Sequence, residues 1–151
     1  MAFLVRAATI SDAETIIEFN RRLAEESEGV KLDPTILGPG VRAVLADASK
    51  GRYFVAEENG EVIGQLMITY EWSDWRNGWI WWLQSVYIRA DARGKGVFRA
   101  VFEFALKQAE LQKDVVMVRL YVEKDNHTAQ ATYLRLGFDE MHFHLYQRKL
   151  R

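Results

Sequence analysis

Gln84-Ser85-Val86-Tyr87-Ile88-Arg89-Ala90-Asp91-Ala92-Arg93-Gly94-Lys95-Gly96-Val97 reads as an apolar strand, a short basic turn with two glycines, and the opening of an amphipathic helix. Such a turn leaves several backbone N–H groups pointing into one concavity at a helix N-terminus, where a phosphate is well received. Arg93 and Lys95 add positive charge at the same place. Two familiar phosphate loops are excluded. A P-loop needs four residues between its glycines and then Gly-Lys-Ser/Thr, a string the chain lacks. A dinucleotide fingerprint needs a third glycine, and Arg99 stands where it would fall.

Outward from this stretch, the pattern predicts strands at Phe3–Ala8, Arg52–Glu57, Glu61–Tyr70, Trp79–Ile88, Val115–Val122 and Met141–Arg148. Glu58-Asn59-Gly60 joins two of them as a hairpin, since Asn-Gly between apolar strands matches the tightest turns. Helices are expected from Ser11 or Asp12 to about Glu26, from Pro34 with an interruption at Gly38-Pro39-Gly40, from Val97 to Gln112, and from an Asn126 cap to Gly137. Trp72–Gly78 reads as a loop. This order makes a mixed sheet with helices on both faces, the α/β (α+β) class.

The chain has 151 residues, 49% of them apolar and 27% charged, which suits one soluble domain over residues 1–151. Its formal net charge of −1 offers no broad basic field for nucleic acid. With no cysteine, disulfides, thiolate metal sites and a cysteine nucleophile are excluded. Met1–Arg6 shows no leader pattern and no apolar run reaches membrane-spanning length, so a cytoplasmic protein without a membrane partner is the expectation. His127, His142 and His144 lack metal-ligand spacing, and no metal is expected.

A second motif lies downstream. Asn126-His127-Thr128-Ala129 leads through Gln130-Ala131-Thr132 to Tyr133-Leu134-Arg135-Leu136-Gly137-Phe138. This segment resembles the Asn-x-x-Ala and Tyr-x-x-x-Gly-Phe segments of the GNAT family of N-acetyltransferases, in order and in spacing. Arg93, Gly96 and the helix after them resemble the family's Arg/Gln-x-x-Gly-x-Gly/Ala loop, with Phe98 at its last small position. The resemblance extends over nearly the whole chain. It implies a twisted, mostly antiparallel sheet of six to seven strands, with a splayed parallel pair at its centre that takes the pantetheine arm of acetyl-CoA. It further implies direct acetyl transfer to a primary amine on a small molecule or peptide.

The same resemblance distributes roles. The amides of Gly94, Lys95, Gly96, Val97 and Phe98 would receive the cofactor's diphosphate beside Arg93, and the backbone of Val86, Tyr87 and Ile88 would pair with pantetheine. Tyr133 would stabilise or protonate the departing sulfur, and Asn126 would contact the cofactor as well as cap its helix. Many relatives carry an acid near the position of Gln84. A glutamine takes no proton, so it is read as orienting a water. Glu71 is the nearest carboxylate by topology and the candidate base, with Asp74 and Glu123 behind it.

All five tryptophans lie between Trp72 and Trp82. Trp79 and Trp81 are expected on one strand face and Trp82 on the other. Trp72 and Trp75, read as loop residues among Glu71, Asp74 and Arg76, would form an aromatic wall for a protonated amine. The substrate set is thus Glu71, Trp72, Asp74, Trp75 and Gln84. The final strands offer a sheet edge, which makes a homodimer an expectation. Two other readings stay open: a catalytically silent acyl-CoA-binding module, and an interaction protein using the Trp72–Trp82 cluster.

Overall fold

The structure, a computed structural model, describes residues 3–151. Met1 and Ala2, the start of the stretch read for a leader, lie outside them. The chain divides into two compact units, one ending at Leu120 and one running from Tyr121 to Arg151.

The first unit is one five-stranded sheet in the order β1 (Leu4–Ala7), β2 (Arg52–Glu58), β3 (Glu61–Ser73), β4 (Gly78–Ile88) and β5 (Val115–Leu120). Neighbours are antiparallel from β1 through β4, and β5 joins β4 in parallel. The Asn59-Gly60 turn between β2 and β3 has both residues left-handed, as the sequence predicts. Alternation along β2 assigns the faces. Tyr53 and Val55 join Ile16 of α1 (Ala13–Glu28) and Val41 of α2 (Pro34–Ala46) in one buried cluster. Phe54 turns the other way and meets Phe104 of α3 (Val97–Glu110), ring to ring at 5.2 Å. Helices therefore cover both faces.

The apolar positions of α3 recur at helical spacing, and Val97, Val101, Phe102, Ala105 and Ala109 are all buried. Each large side chain taken fully out of water contributes about 1.5–3 kcal/mol. Gly64 of β3 lets the first turn of α3 come this close. A Cβ there would stand 2.8 Å from Ile88 Cδ1 and 2.9 Å from Val97 Cγ1.

Three expectations are corrected. First, α2 runs unbroken through Pro39. Proline's fixed φ is helical, and the cost of its missing N–H is outweighed where Leu37, Val41, Val44 and Leu45 pack on the sheet. Second, β3 continues through Trp72 to Ser73, because cross-strand pairing with Trp79 and Gly78 extends it beyond Tyr70. Third, among the described residues the sheet has five strands rather than six or seven, and the parallel pair ends the strand order. Residues 141–148 alternate in polarity, but a strand exists only through its ladder to a neighbour, and this segment joins none of the five.

The second unit carries α4 (His127–Arg135). Asn126 caps it, its side-chain oxygen accepting from the Ala129 N–H at 3.1 Å. At its far end the Phe138 N–H donates to the Tyr133 carbonyl at 3.0 Å, with Gly137 at φ +93°. The Gln130 side-chain amide donates to the carbonyls of Glu123 and Lys124, tying α4 to the turn before it. Among the described residues no helix is long and apolar enough to cross a membrane.

Candidate active site

β4 ends at Ile88, a 3-10 turn follows at Ala90–Ala92, and α3 opens at Val97. The buried Ala92 pins the turn to the core. Gly94 and Gly96 lie at φ +77° and +84°, where an L side chain is strained. This backbone turns the chain so that the head of α3 faces a depression of about 310 Å³, lined by Ile88, Ala92, Gly94, Gly96 and Phe98 among others. No side chain among the described residues caps α3. Its first N–H groups, and the positive end of its dipole, are therefore available to an anion.

Arg93 braces this loop. Its Nε donates to the Ile88 carbonyl at 2.9 Å, its Nη2 reaches Glu26 of α1 at 3.1 Å, and its guanidinium lies 5.3 Å from the Tyr87 ring centre. Hydrogen bonding from Tyr87, and then from Arg93, holds the Glu26 carboxyl below its ordinary range. Lys95 is exposed. The Phe98 ring lies along the helix against the buried Phe102, with centroids 5.6 Å apart, so it packs with α3 while its amide stays at the helix head.

Just upstream, β4 and β5 part. Their pairing runs from Trp79↔Val115 to Leu83↔Leu120, where β5 ends, while β4 continues to Ile88 beside β3 alone. Gln84–Ile88 therefore has a backbone edge that no strand among the described residues pairs, and Val86, Tyr87 and Ile88 all lie on it. A bulge accompanies the parting. Ser85 sits at φ +51° and the register with β3 shifts between Gln65 and Met67. Gln65, fully buried, donates from Nε2 to the Ser85 carbonyl at 3.0 Å and to Asn20 Oδ1 at 3.3 Å. Asn20 in turn donates to the Tyr53 hydroxyl at 3.1 Å.

The register places Met67, Thr69 and Glu71 of β3 on one face with Trp82 and Gln84 of β4 and Arg119 of β5. Met67 packs against the α1–α2 cluster, so this is the face those helices cover farther along the sheet. Trp82 Nε1 donates to Glu71 Oε1 at 3.0 Å, and Gln84 Nε2 donates to Thr69 Oγ1 at 2.6 Å. Arg119 Nη1 lies 3.8 Å from Glu71 Oε2, with its guanidinium carbon 5.9 Å from the Trp82 ring centre. Glu71 and Gln84 thus come together on one surface.

The other expected substrate residues do not join them. Trp72 belongs to β3 and points to the opposite face, edge-on to Trp79 at 5.0 Å. Trp75 lies in the turn after β3 and is 91% exposed. Asp74 Oδ1 accepts from the Trp75 N–H at 2.9 Å, a turn-forming contact. Trp79 and Trp81 do share a face with Tyr70, while Trp82 points away. Sequence reasoning missed Arg119, Thr69 and the hydrogen bond from Trp82 to Glu71. One signal was present: an arginine inside the apolar run Val115–Leu120.

In the second unit, Asn126 is the α4 cap described above, and Tyr133 meets Phe138 edge-on at 5.8 Å. Burial lifts the Tyr133 phenol above its ordinary pKa. Glu123 is used locally, its Oε2 accepting from the Asp125 N–H at 2.8 Å.

The model of the Acetyltransferase (GNAT) family matches residues 16–138. A curated mycothiol acetyltransferase from Corynebacterium jeikeium (strain K411) is 40% identical over 57 residues, which is 38% of this chain and only 16% of that relative's length. Among solved structures, a "possible acetyltransferase" from Clostridium difficile 630 superposes with a TM-score of 0.93 at 41% identity, covering 100% of this chain and 99% of that one. A "predicted acetyltransferase with acetyl-CoA" from Clostridium acetobutylicum shares the fold at a TM-score of 0.80 and 19% identity, covering 97% of this chain and 96% of that one.

Proposed function

The chain belongs to the Acetyltransferase (GNAT) family, and on that premise we propose that it transfers the acetyl group of acetyl-CoA directly to a primary amine. One observation carries the reading: β5 leaves β4 at Leu83, and the freed edge leads straight into the glycine-turned, uncapped head of α3. The residues fit the cosubstrate at both places. Amides from Gly94 to Phe98 suit a diphosphate, with Arg93 holding the loop in shape, and the Val86–Ile88 edge suits the pantetheine amides.

Acetyl-CoA supplies an activated thioester when bound. What the chain adds is position and proton management. An alkylammonium with a pKa of about 10 must lose a proton before its nitrogen can attack. Glu71, oriented by the Trp82 indole, is the proposed acceptor of that proton. Tyr133, in the role the family resemblance implies for it, would give its phenol proton to the departing thiolate and recover one from solvent. A tyrosine phenol is protonated at neutral pH, and burial pushes this one further in that direction. Gln84, fixed through Thr69, orients the amine or a water beside it.

Calorimetric titration with coenzyme A tests the site. Wild-type protein is expected to bind at micromolar concentration. Gly96→Glu, which puts a strained side chain and a negative charge at the helix head, is expected to abolish binding. Absence of wild-type binding would overturn the reading. Thiol release with an amine panel then separates an enzyme from a silent binding module. Tyr133→Phe should lower kcat about 100-fold while coenzyme A binding persists.

A further inference from the structure

We infer that the acceptor amine is a free α-amino acid, its ammonium facing Glu71 and its carboxylate facing Arg119. This rests on the acetyl-transfer reading of the same site and names its substrate class. Three adjacent strands present, on one face, a carboxylate, an indole and a guanidinium: Glu71, Trp82 and Arg119.

Their states differ in a telling way. Glu71 is half exposed, with one oxygen fixed by the Trp82 indole. Arg119 is only 17% exposed, and its Nε is buried without a partner. Its contact to Glu71, at 3.8 Å, is longer than a hydrogen bond. Glu71 balances the charge of this guanidinium at a distance, but no hydrogen bond among the described residues satisfies its Nε, and a carboxylate entering beside Glu71 would supply the closer partner. Its planar fork, with the guanidinium carbon over the Trp82 ring, matches the geometry of a carboxylate.

The separation selects the ligand. Opposite charges this close match a molecule whose ammonium and carboxylate sit two bonds apart. The half-buried Trp82 ring offers an apolar wall to its side chain. A polyamine would bring a second cation against Arg119 and be disfavoured. The place is also right for transfer, because Arg119 and Trp82 lie one residue before the point where β4 and β5 part.

Thiol release from acetyl-CoA, measured with α-amino acids, their amides and the corresponding decarboxylated amines, tests this. The acids should exceed both analogues in kcat/KM by on the order of 100-fold. Arg119→Gln should remove that preference, lowering kcat/KM for the acids by a much larger factor than for the amides. Arg119→Lys should restore part of it. Unchanged coenzyme A binding by calorimetry shows that each variant is folded. Amides or amines used as well as the acids, or Arg119→Gln lowering acids and amides equally, would overturn the inference and leave acetyl transfer standing. Failure of every amine tested to cause thiol release would overturn acetyl transfer, and this inference with it.

Discussion

Asp12 shows how a single side chain ties the start of the chain to its pH response. It is 7% exposed and accepts from Arg6 Nη1 at 2.8 Å and from the Thr9 N–H at 2.8 Å. The Arg6 hydrogen bond, opposed by burial, holds its carboxyl below the ordinary range. A depressed folded pKa contributes stability that is complete above the unfolded value of about 3.9 and is lost as pH falls through the folded one. Urea unfolding should therefore show stability declining as the pH drops below about 4. Asp12→Asn should flatten that decline and cost about 1–3 kcal/mol at pH 7, where Arg6 loses a charged partner. An unchanged acid slope in the variant would assign the decline to other carboxylates. At this scale the sequence is uneven as a guide. Gly94, Gly96, Asn126 and Asn59-Gly60 are legible because turn and cap chemistry is local. Arg119 is not, because its meaning comes from Glu71 and Trp82, which only the register brings alongside it.

The bulge in β4 belongs to the scale of elements. It requires Ser85 in a left-handed conformation that non-glycine residues rarely adopt. Such strain persists where surrounding contacts hold it. Here the holding group is Gln65, which links the Ser85 carbonyl to Asn20 and through it to Tyr53. Gln65→Leu would leave buried polar partners without a donor, at about 1–3 kcal/mol, offset in part because the unpaired Gln65 Oε1 is removed too. Urea unfolding should register that loss. The KM for acetyl-CoA should rise with kcat less affected, since the bulge shapes the Val86–Ile88 edge. A variant with wild-type stability and KM would make the network incidental. The element-scale corrections share one physical origin. Pro39 sits in a helix because packing outweighs a missing hydrogen bond, and Trp72 sits in a strand because Trp79 pairs with it. Residues 141–148 form no strand because alternation without a partner makes no ladder. Each outcome is decided by residues distant in sequence, where local pattern carries no information.

Over the whole molecule, the same topology that exposes the β4 edge also aims the head of α3, because α3 is the crossover between the two parallel strands. One connection therefore creates both halves of the proposed cofactor site, and the relative strength of those halves is measurable. Coenzyme A at 100 times its dissociation constant should stabilise the fold by about 2.7 kcal/mol. For a chain of 151 residues, that corresponds to a rise in Tm on the order of 5–10 °C. Pantetheine, which offers the β4 edge its amides but brings no diphosphate to the loop, should give little shift at the same concentration. Gly96→Glu should erase the coenzyme A response without lowering the response to pantetheine further. The reasoning is electrostatic: unsatisfied N–H groups at a helix head gain most from a charged partner, whereas backbone pairing along a strand edge exchanges one set of hydrogen bonds for another. Equal shifts from the two ligands would move the binding energy to the strand edge and reduce the glycine loop to a turn.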